Sequence, residues 1–146
     1  MANPVKAASV GIGWWSNVLA DAVQKTNTLE IVTCFTRNPE KRVGFAEKYG
    51  CRESESYEAV LKDPEVEAIL LTTPHAAHRD QIEGAARSGK HVFVEKPLAH
   101  IRSPIQRPRL SPVRRQGWFS PWGTAVVAKK GFESSRNRSR LERWVR

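Results

Sequence analysis

Cysteine is scarce: Cys34 and Cys51 are the only two among 146 residues. They build neither a disulfide framework nor a metal-ligand spacing, so both are expected as ordinary thiols and no metal site is expected. His91 and His100 show no ligand spacing either. No apolar run approaches the ~18–20 residues of a membrane span, which excludes a membrane partner. The opening residues, Met1-Ala2-Asn3-Pro4-Val5-Lys6, lack the apolar core of a signal peptide. A cytoplasmic protein is therefore expected. No internal repeat is visible, and the length suits one domain. Acidic side chains are also missing from one region. Residues 101–146 hold 2 acidic against 12 basic side chains, whereas residues 1–100 hold 13 acidic and 12 basic. The formal charge of +9 thus belongs entirely to the last third. The first hundred residues have the balance of an ordinary globular chain.

Within that hundred, short apolar segments alternate with segments of helical period. Ala7-Ala8-Ser9-Val10 runs into Gly11-Ile12-Gly13, the pattern of a strand reaching a tight turn. Val18, Leu19, Ala22 and Val23 then recur at helical spacing. Leu29 to Phe35 is rich in β-branched and aromatic residues and reads as a strand. Asn38 and Pro39 have the chemistry of an N-cap and first helical position. Val43, Phe45, Ala46 and Tyr49 supply a stripe for that helix, and Gly50 closes it. A short helix is expected from Tyr57 to Leu61. Val66 to Thr73 contains Ala68-Ile69-Leu70-Leu71, the uninterrupted apolar run of a strand buried on both faces. A helix from Ala76 to Ser88 and a strand His91 to Val94 complete the series. Such alternation predicts an α/β fold, a Rossmann-type parallel sheet with helices on both faces.

In an open parallel sheet the ligand lies at the carboxyl ends of the strands. Four candidate loops fall there: Gly11 to Gly13, Thr36-Arg37, Thr72-Thr73-Pro74, and Glu95-Lys96-Pro97. Gly11-Ile12-Gly13-Trp14-Trp15-Ser16 fits G-x-G-x-x-G with Ser16 in the third place. The first glycine permits the turn, the second lets a pyrophosphate approach the backbone, and the helix N-terminus offers free N–H groups. The bland alternative is a purely steric βα turn. Where NAD enzymes usually place an acidic residue to read the ribose, this chain has Thr36-Arg37. Hydroxyl plus guanidinium would receive a 2′-phosphate, favouring NADP slightly over NAD. Otherwise Arg37 is a solvated loop residue. Lys96, between Glu95 and Pro97, is the candidate for chemistry: it can donate a hydrogen bond to a substrate hydroxyl or carbonyl beside the nicotinamide. Taken without its position it would be an ordinary surface lysine. His78 has two readings, a contact to cofactor or substrate and a capping or packing role. Trp14 and Trp15 either line the nicotinamide side of the cleft or pack the first helix.

At these residues the sequence resembles the Gfo/Idh/MocA family, the relatives of glucose–fructose oxidoreductase and inositol dehydrogenase. The matching segments are VGIGWWS (10–16), TCFTRNPEK (33–41), AILLTTPHAAH (68–78) and, most specifically, GKHVFVEKPLA (89–99). The likeness covers roughly residues 5–100. It implies an N-terminal nucleotide-binding domain joined to a C-terminal α/β domain with a large open sheet. It further implies NAD(P)-dependent oxidation or reduction of sugar, polyol and related hydroxyl carbons. Lys96 would be the family's active-site lysine, and Pro97 would follow a strained cis peptide bond. The family's other acid/base groups, an Asp and a His, lie in the second domain, which this chain is expected to lack. Cofactor binding without turnover is then the expectation, and the oligomers found in the family are doubtful here.

Residues 101–146 abandon the pattern. Prolines 104, 108, 112 and 121 punctuate an Arg/Ser-rich stretch with isolated tryptophans, so a basic tail without regular structure is expected. Charge and stacking would suit single-stranded nucleic acid. Codon arithmetic favours another origin. Read one base earlier, Trp118 to Thr124 becomes an apolar strand ending in glycine, and the Arg and Pro codons of 107–115 become those of small helix-forming residues. A reading-frame shift near His100, natural or introduced in sequencing, explains both. Early stops in the −1 frame of codons 101–146 would sink the idea. On this view the basic residues were never selected as a binding patch, specific nucleic-acid recognition is not expected, and only salt-sensitive sticking remains.

Overall fold

A computed structural model describes residues 3–94 and two short strands, 117–119 and 125–127. In chain order its elements are β1 (Val5–Val10), α1 (Trp14–Val23), β2 (Leu29–Phe35), α2 (Pro39–Tyr49), β3 (Arg52–Glu53), α3 (Tyr57–Lys62), β4 (Ala68–Leu71), α4 (His75–Arg87) and β5 (His91–Val94), followed by β6 (Gly117–Phe119) and β7 (Ala125–Val127). They form one sheet in the order β3-β2-β1-β4-β5-β7-β6. The first five strands are parallel, with Val10 level with Phe35 on one side and Leu71 on the other.

Strand order reverses between β1 and β4. Right-handed crossovers then put α1 and α2 on one face and α3 and α4 on the other. Two cores result. Ala7, Ala20, Ile31, Phe45, Ala46 and Leu70 pack on the α1/α2 face. Ala8, Val10, Val60, Ile69, Leu71 and Ile82 pack on the other. Adjacent residues of β4 point into opposite cores, which is why its four positions are all apolar and all buried.

The ends of the helices follow from local chemistry. Asn38 Oδ1 accepts from the Lys41 amide at 3.1 Å, with Pro39 at the first helical position. Gly50 ends α2 at φ +68°, where a side chain would be strained. Lys90 shows a different solution at the entrance to β5. Its residue is only 6% exposed, and its ammonium donates to the carbonyls of Asp63 and Val66, both at 2.7 Å. Burial pushes its pKa below the ordinary lysine range, against the opposing pull of Asp63. This one cation ties the α3–β4 connection to β5. Lys90→Met keeps the stem but strands two carbonyls, and is expected to cost ~2–4 kcal/mol, read as a lower urea midpoint.

Two expectations are corrected. The stripe of α1 is out of phase: Ser16, Ala20 and Val23 are buried, whereas Val18 and Ala22 are exposed. Close approach of helix to sheet selects the small Ser16 and Ala20, and hydropathy alone does not report that. In α2, Val43 is likewise exposed, leaving Phe45 and Ala46 as the buried pair. Two short strands are described beyond residue 100. β7 pairs antiparallel with β5, and β6 with β7. Trp118-Phe119 and Ala125-Val126-Val127 are strand-forming residues, and the free edge of β5 offers unpaired N–H and C=O groups as a template. The two-residue β3 was not anticipated either; it lies at the sheet edge beside β2.

Candidate functional site

The reversal of strand order opens a crevice where β1 and β4 end, and the turns after them meet there. Gly11, at φ +88°, sits between the neighbouring strands: its N–H donates to the Phe35 carbonyl at 2.9 Å, and the Thr72 hydroxyl donates to its carbonyl. A β-carbon built on Gly11 would lie 2.7 Å from both the Thr73 methyl and the Thr73 amide nitrogen. The turn therefore has room only for glycine. Thr72 is held as well, its N–H donating to the Val10 carbonyl at 2.9 Å.

Gly13 presents the opposite case. Its backbone is extended (φ −147°, ψ −164°), a conformation open to any residue, and a β-carbon there would meet nothing within 4 Å. Neither conformation nor packing accounts for a glycine at this position. It caps α1, and no side chain accepts from the helix's leading N–H groups there. The Ser16 hydroxyl instead turns back on the cap, accepting from Gly13 N–H at 2.8 Å and donating to the Gly13 carbonyl at 2.7 Å. An open approach over a helix N-terminus is what a phosphate requires: N–H donors, a partial positive charge and no side chain in the way. A groove of about 370 Å³ runs beside it, lined by Ile12, Gly13, Trp14, Lys41, Gly44 and Phe45.

The other proposed site residues fall around this centre with different roles. Thr36 is half-buried, its carbonyl accepting from the Arg42 guanidinium at 3.4 Å, and Arg37 is exposed just before the N-cap of α2. Lys41, absent from the sequence-based set, lies one turn further on and faces the groove. Its signal was present in the spacing of Asn38 and Lys41 at the helix start. Glu40 in the same turn contributes the opposing charge. Pro74 is exposed at the start of α4.

His78 is buried, and its Nε2 lies 2.7 Å from the Thr73 carbonyl oxygen. A carbonyl only accepts, so Nε2 carries the proton in this bond. This bond packs α4 against the β4–α4 turn. The Thr73 hydroxyl also donates to Gln81 Oε1 at 2.5 Å, so α4 holds the β4–α4 turn at two points. Trp14 is 77% exposed and Trp15 37%, their rings 5.6 Å apart. Glu95, Lys96 and Pro97 lie outside the described residues; β5 ends at Val94, level with Leu71. Among the described residues no helix is long and apolar enough to cross a membrane.

The chain is similar to known proteins over this region. The dTDP-3,4-didehydro-2,6-dideoxy-alpha-D-glucose 3-reductase of Actinomadura kijaniata is 32% identical over 108 residues, covering 73% of this chain and 32% of the reductase. The crystal structure of an NAD-binding protein from Listeria innocua is 35% identical with a TM-score of 0.63, over 67% of this chain and 28% of that one. Biliverdin reductase from Synechocystis sp. PCC 6803, solved with biliverdin and NADP+, is 30% identical with a TM-score of 0.63, over 66% of this chain and 30% of that one. This chain thus spans a third or less of the length of these relatives. Residues 5–107 match the sequence pattern of the Gfo/Idh/MocA oxidoreductases over their NAD-binding Rossmann fold. The chain belongs to that family and matches its NAD(P)-binding Rossmann domain over residues 5–107.

Proposed function

We propose that this chain supplies the cofactor-binding part of an NADP(H)-preferring oxidoreductase, one that moves hydride to or from a hydroxyl-bearing carbon of a sugar-like substrate. The observation that carries this reading is Gly13, open on its outer side above a helix whose leading N–H groups no side chain accepts from. Gly13 and the N–H groups of Trp14 and Trp15 would hold the pyrophosphate. Thr72 and Thr73 would border the crevice, and Trp14 and Trp15 would flank its mouth. The sugar-like substrate is suggested by the A. kijaniata relative, which is named for reducing a dTDP-linked deoxysugar. Lys96 would donate its hydrogen bond to the substrate oxygen beside the nicotinamide. The bound dinucleotide supplies or accepts the hydride. The domain is taken to end near residue 100, with the basic segment after it read as translation out of frame, and the compartment as the cytoplasm.

The preference for NADP rests on Thr36, Arg37 and Lys41, which put a hydroxyl and two cations around the start of α2 where an NAD enzyme usually has a carboxylate. Arg37→Ala is expected to weaken NADPH binding about tenfold, roughly 1.4 kcal/mol, and NADH binding less than about twofold. Equal losses for both cofactors would remove Arg37 from 2′-phosphate recognition.

Calorimetric titration of the full chain with NADPH, NADH and a single-stranded oligonucleotide tests the reading as a whole. Saturable dinucleotide binding supports it. Sequence-selective oligonucleotide binding that survives high salt, with no dinucleotide binding, would overturn it.

A further inference from the structure

The two cysteines that looked ordinary in the sequence are brought together by the fold. Cys34 sits near the end of β2, fully buried, with its sulfur 3.7 Å from the Arg42 carbonyl of α2. Cys51 follows the left-handed cap of α2 at Gly50, its N–H donating to the Ala46 carbonyl at 3.1 Å. The chain then enters β3, whose Arg52 pairs with Thr33, the residue before Cys34. Both thiols pack in the same apolar cluster on the α1/α2 face. Cys34 is closed to solvent and Cys51 is half-buried, so a reagent reaches one and not the other.

We propose that Cys34 and Cys51 form a two-electron thiol switch, converted by hydrogen peroxide into an intramolecular disulfide within the nucleotide-binding domain. The Cys51 thiolate attacks one peroxide oxygen, the O–O bond breaks, and the leaving hydroxide takes up a proton to become water. Cys51 is then a sulfenic acid. The Cys34 sulfur attacks the Cys51 sulfur, and hydroxide leaves carrying the Cys34 proton as a second water. Two thiols and one peroxide give one disulfide and two waters, the sulfurs together losing two electrons.

The division of roles follows from the surroundings. A hydrogen bond from the Cys34 thiol to Cys51 holds the Cys51 pKa below the usual thiol range, with burial and Glu53 opposing and Arg52 assisting. The same bond, with burial, pushes Cys34 well above that range, despite Arg42. The accessible sulfur is thus the nucleophile, and the buried one resolves its sulfenic acid before further oxidation. The disulfide would pin β2 to the exit of α2, closing the chain from 34 to 51 around Thr36, Arg37 and Lys41.

The test uses the reduced full chain and does not depend on cofactor binding. After peroxide, titratable thiols are expected to fall from two to none, and the intact mass to fall by two hydrogens. A non-reducing digest should join the Cys34 and Cys51 peptides, and dithiothreitol should reverse each change. In Cys34→Ser the sulfenic acid should persist on Cys51 and be captured by dimedone. In Cys51→Ser the Cys34 thiol should survive the same exposure. Two thiols remaining in the treated folded chain would overturn the proposal, as would a disulfide joining separate chains. Oxidation of Cys34 at an unchanged rate in Cys51→Ser would overturn the assignment of the nucleophile.

Discussion

Gly13→Val is expected to weaken NADPH binding at least ~100-fold, about 2.7 kcal/mol, while leaving unfolding stability within about 0.5 kcal/mol of the unchanged chain. The contrast follows from where the new side chain goes. It meets no protein atom within 4 Å, and the extended backbone at Gly13 accepts it without strain. It does occupy the approach to the α1 N-terminus, so a phosphate loses its contact with the N–H donors. Titration calorimetry and urea unfolding on the same sample check both halves. Undiminished NADPH binding in a folded variant would show that the glycine is no part of a phosphate site.

Two residues away in the same motif, Gly11→Ala is expected to do the reverse and destabilise the domain. The left-handed φ of +88° costs a non-glycine residue ~1–2 kcal/mol. A methyl group 2.7 Å from the Thr73 amide nitrogen and methyl, and 2.8 Å from the Thr72 carbonyl carbon, forces the β1 and β4 ends apart at a further ~1–3 kcal/mol. The neighbouring atoms include backbone, so rotation of a side chain does not relieve the clash. A total of ~2–5 kcal/mol is a large share of the ~5–15 kcal/mol available to a typical domain. The urea midpoint should fall markedly with little change in slope. A midpoint shifted by less than the equivalent of ~0.5 kcal/mol would mean that the turn can open without cost.

The two variants separate jobs that the motif itself runs together. G-x-G-x-x-G in the sequence indicates a turn, a close approach and a packed helix, but not which glycine does which. The structure assigns them: Gly11 is required by the protein, Gly13 is required by nothing in the protein, and Ser16 is buried in the first turn of α1, its hydroxyl bonded to Gly13. His78 shows the same division. Its place at the start of a helix after Thr73-Pro74 was legible, whereas its choice of the Thr73 carbonyl as partner depended on how α4 docks.

What the sequence by itself determined is the order and kind of the elements between residues 5 and 94, the two-residue β3 excepted, because these depend on near-neighbour effects. β2 runs from Leu29 to Phe35 where β-branched and aromatic residues cluster, and α2 opens at Asn38-Pro39 and stops at Gly50 through local hydrogen bonding and φ. The family was legible for the same reason, since its motifs are contiguous. Tertiary structure alone decided which face of α1 turns inward, since helix-to-sheet distance favours Ser16 and Ala20 over the more apolar Val18. It also decided that Lys41 borders the groove and that a basic segment contributes two strands to the edge of β5. And it decided the standing of the two cysteines. Separated along the chain they looked unrelated; the parallel pairing of β2 with β3 and the exit of α2 bring them into one cluster. Contacts of that kind depend on the path of the chain through space, and no local pattern of residues encodes that path.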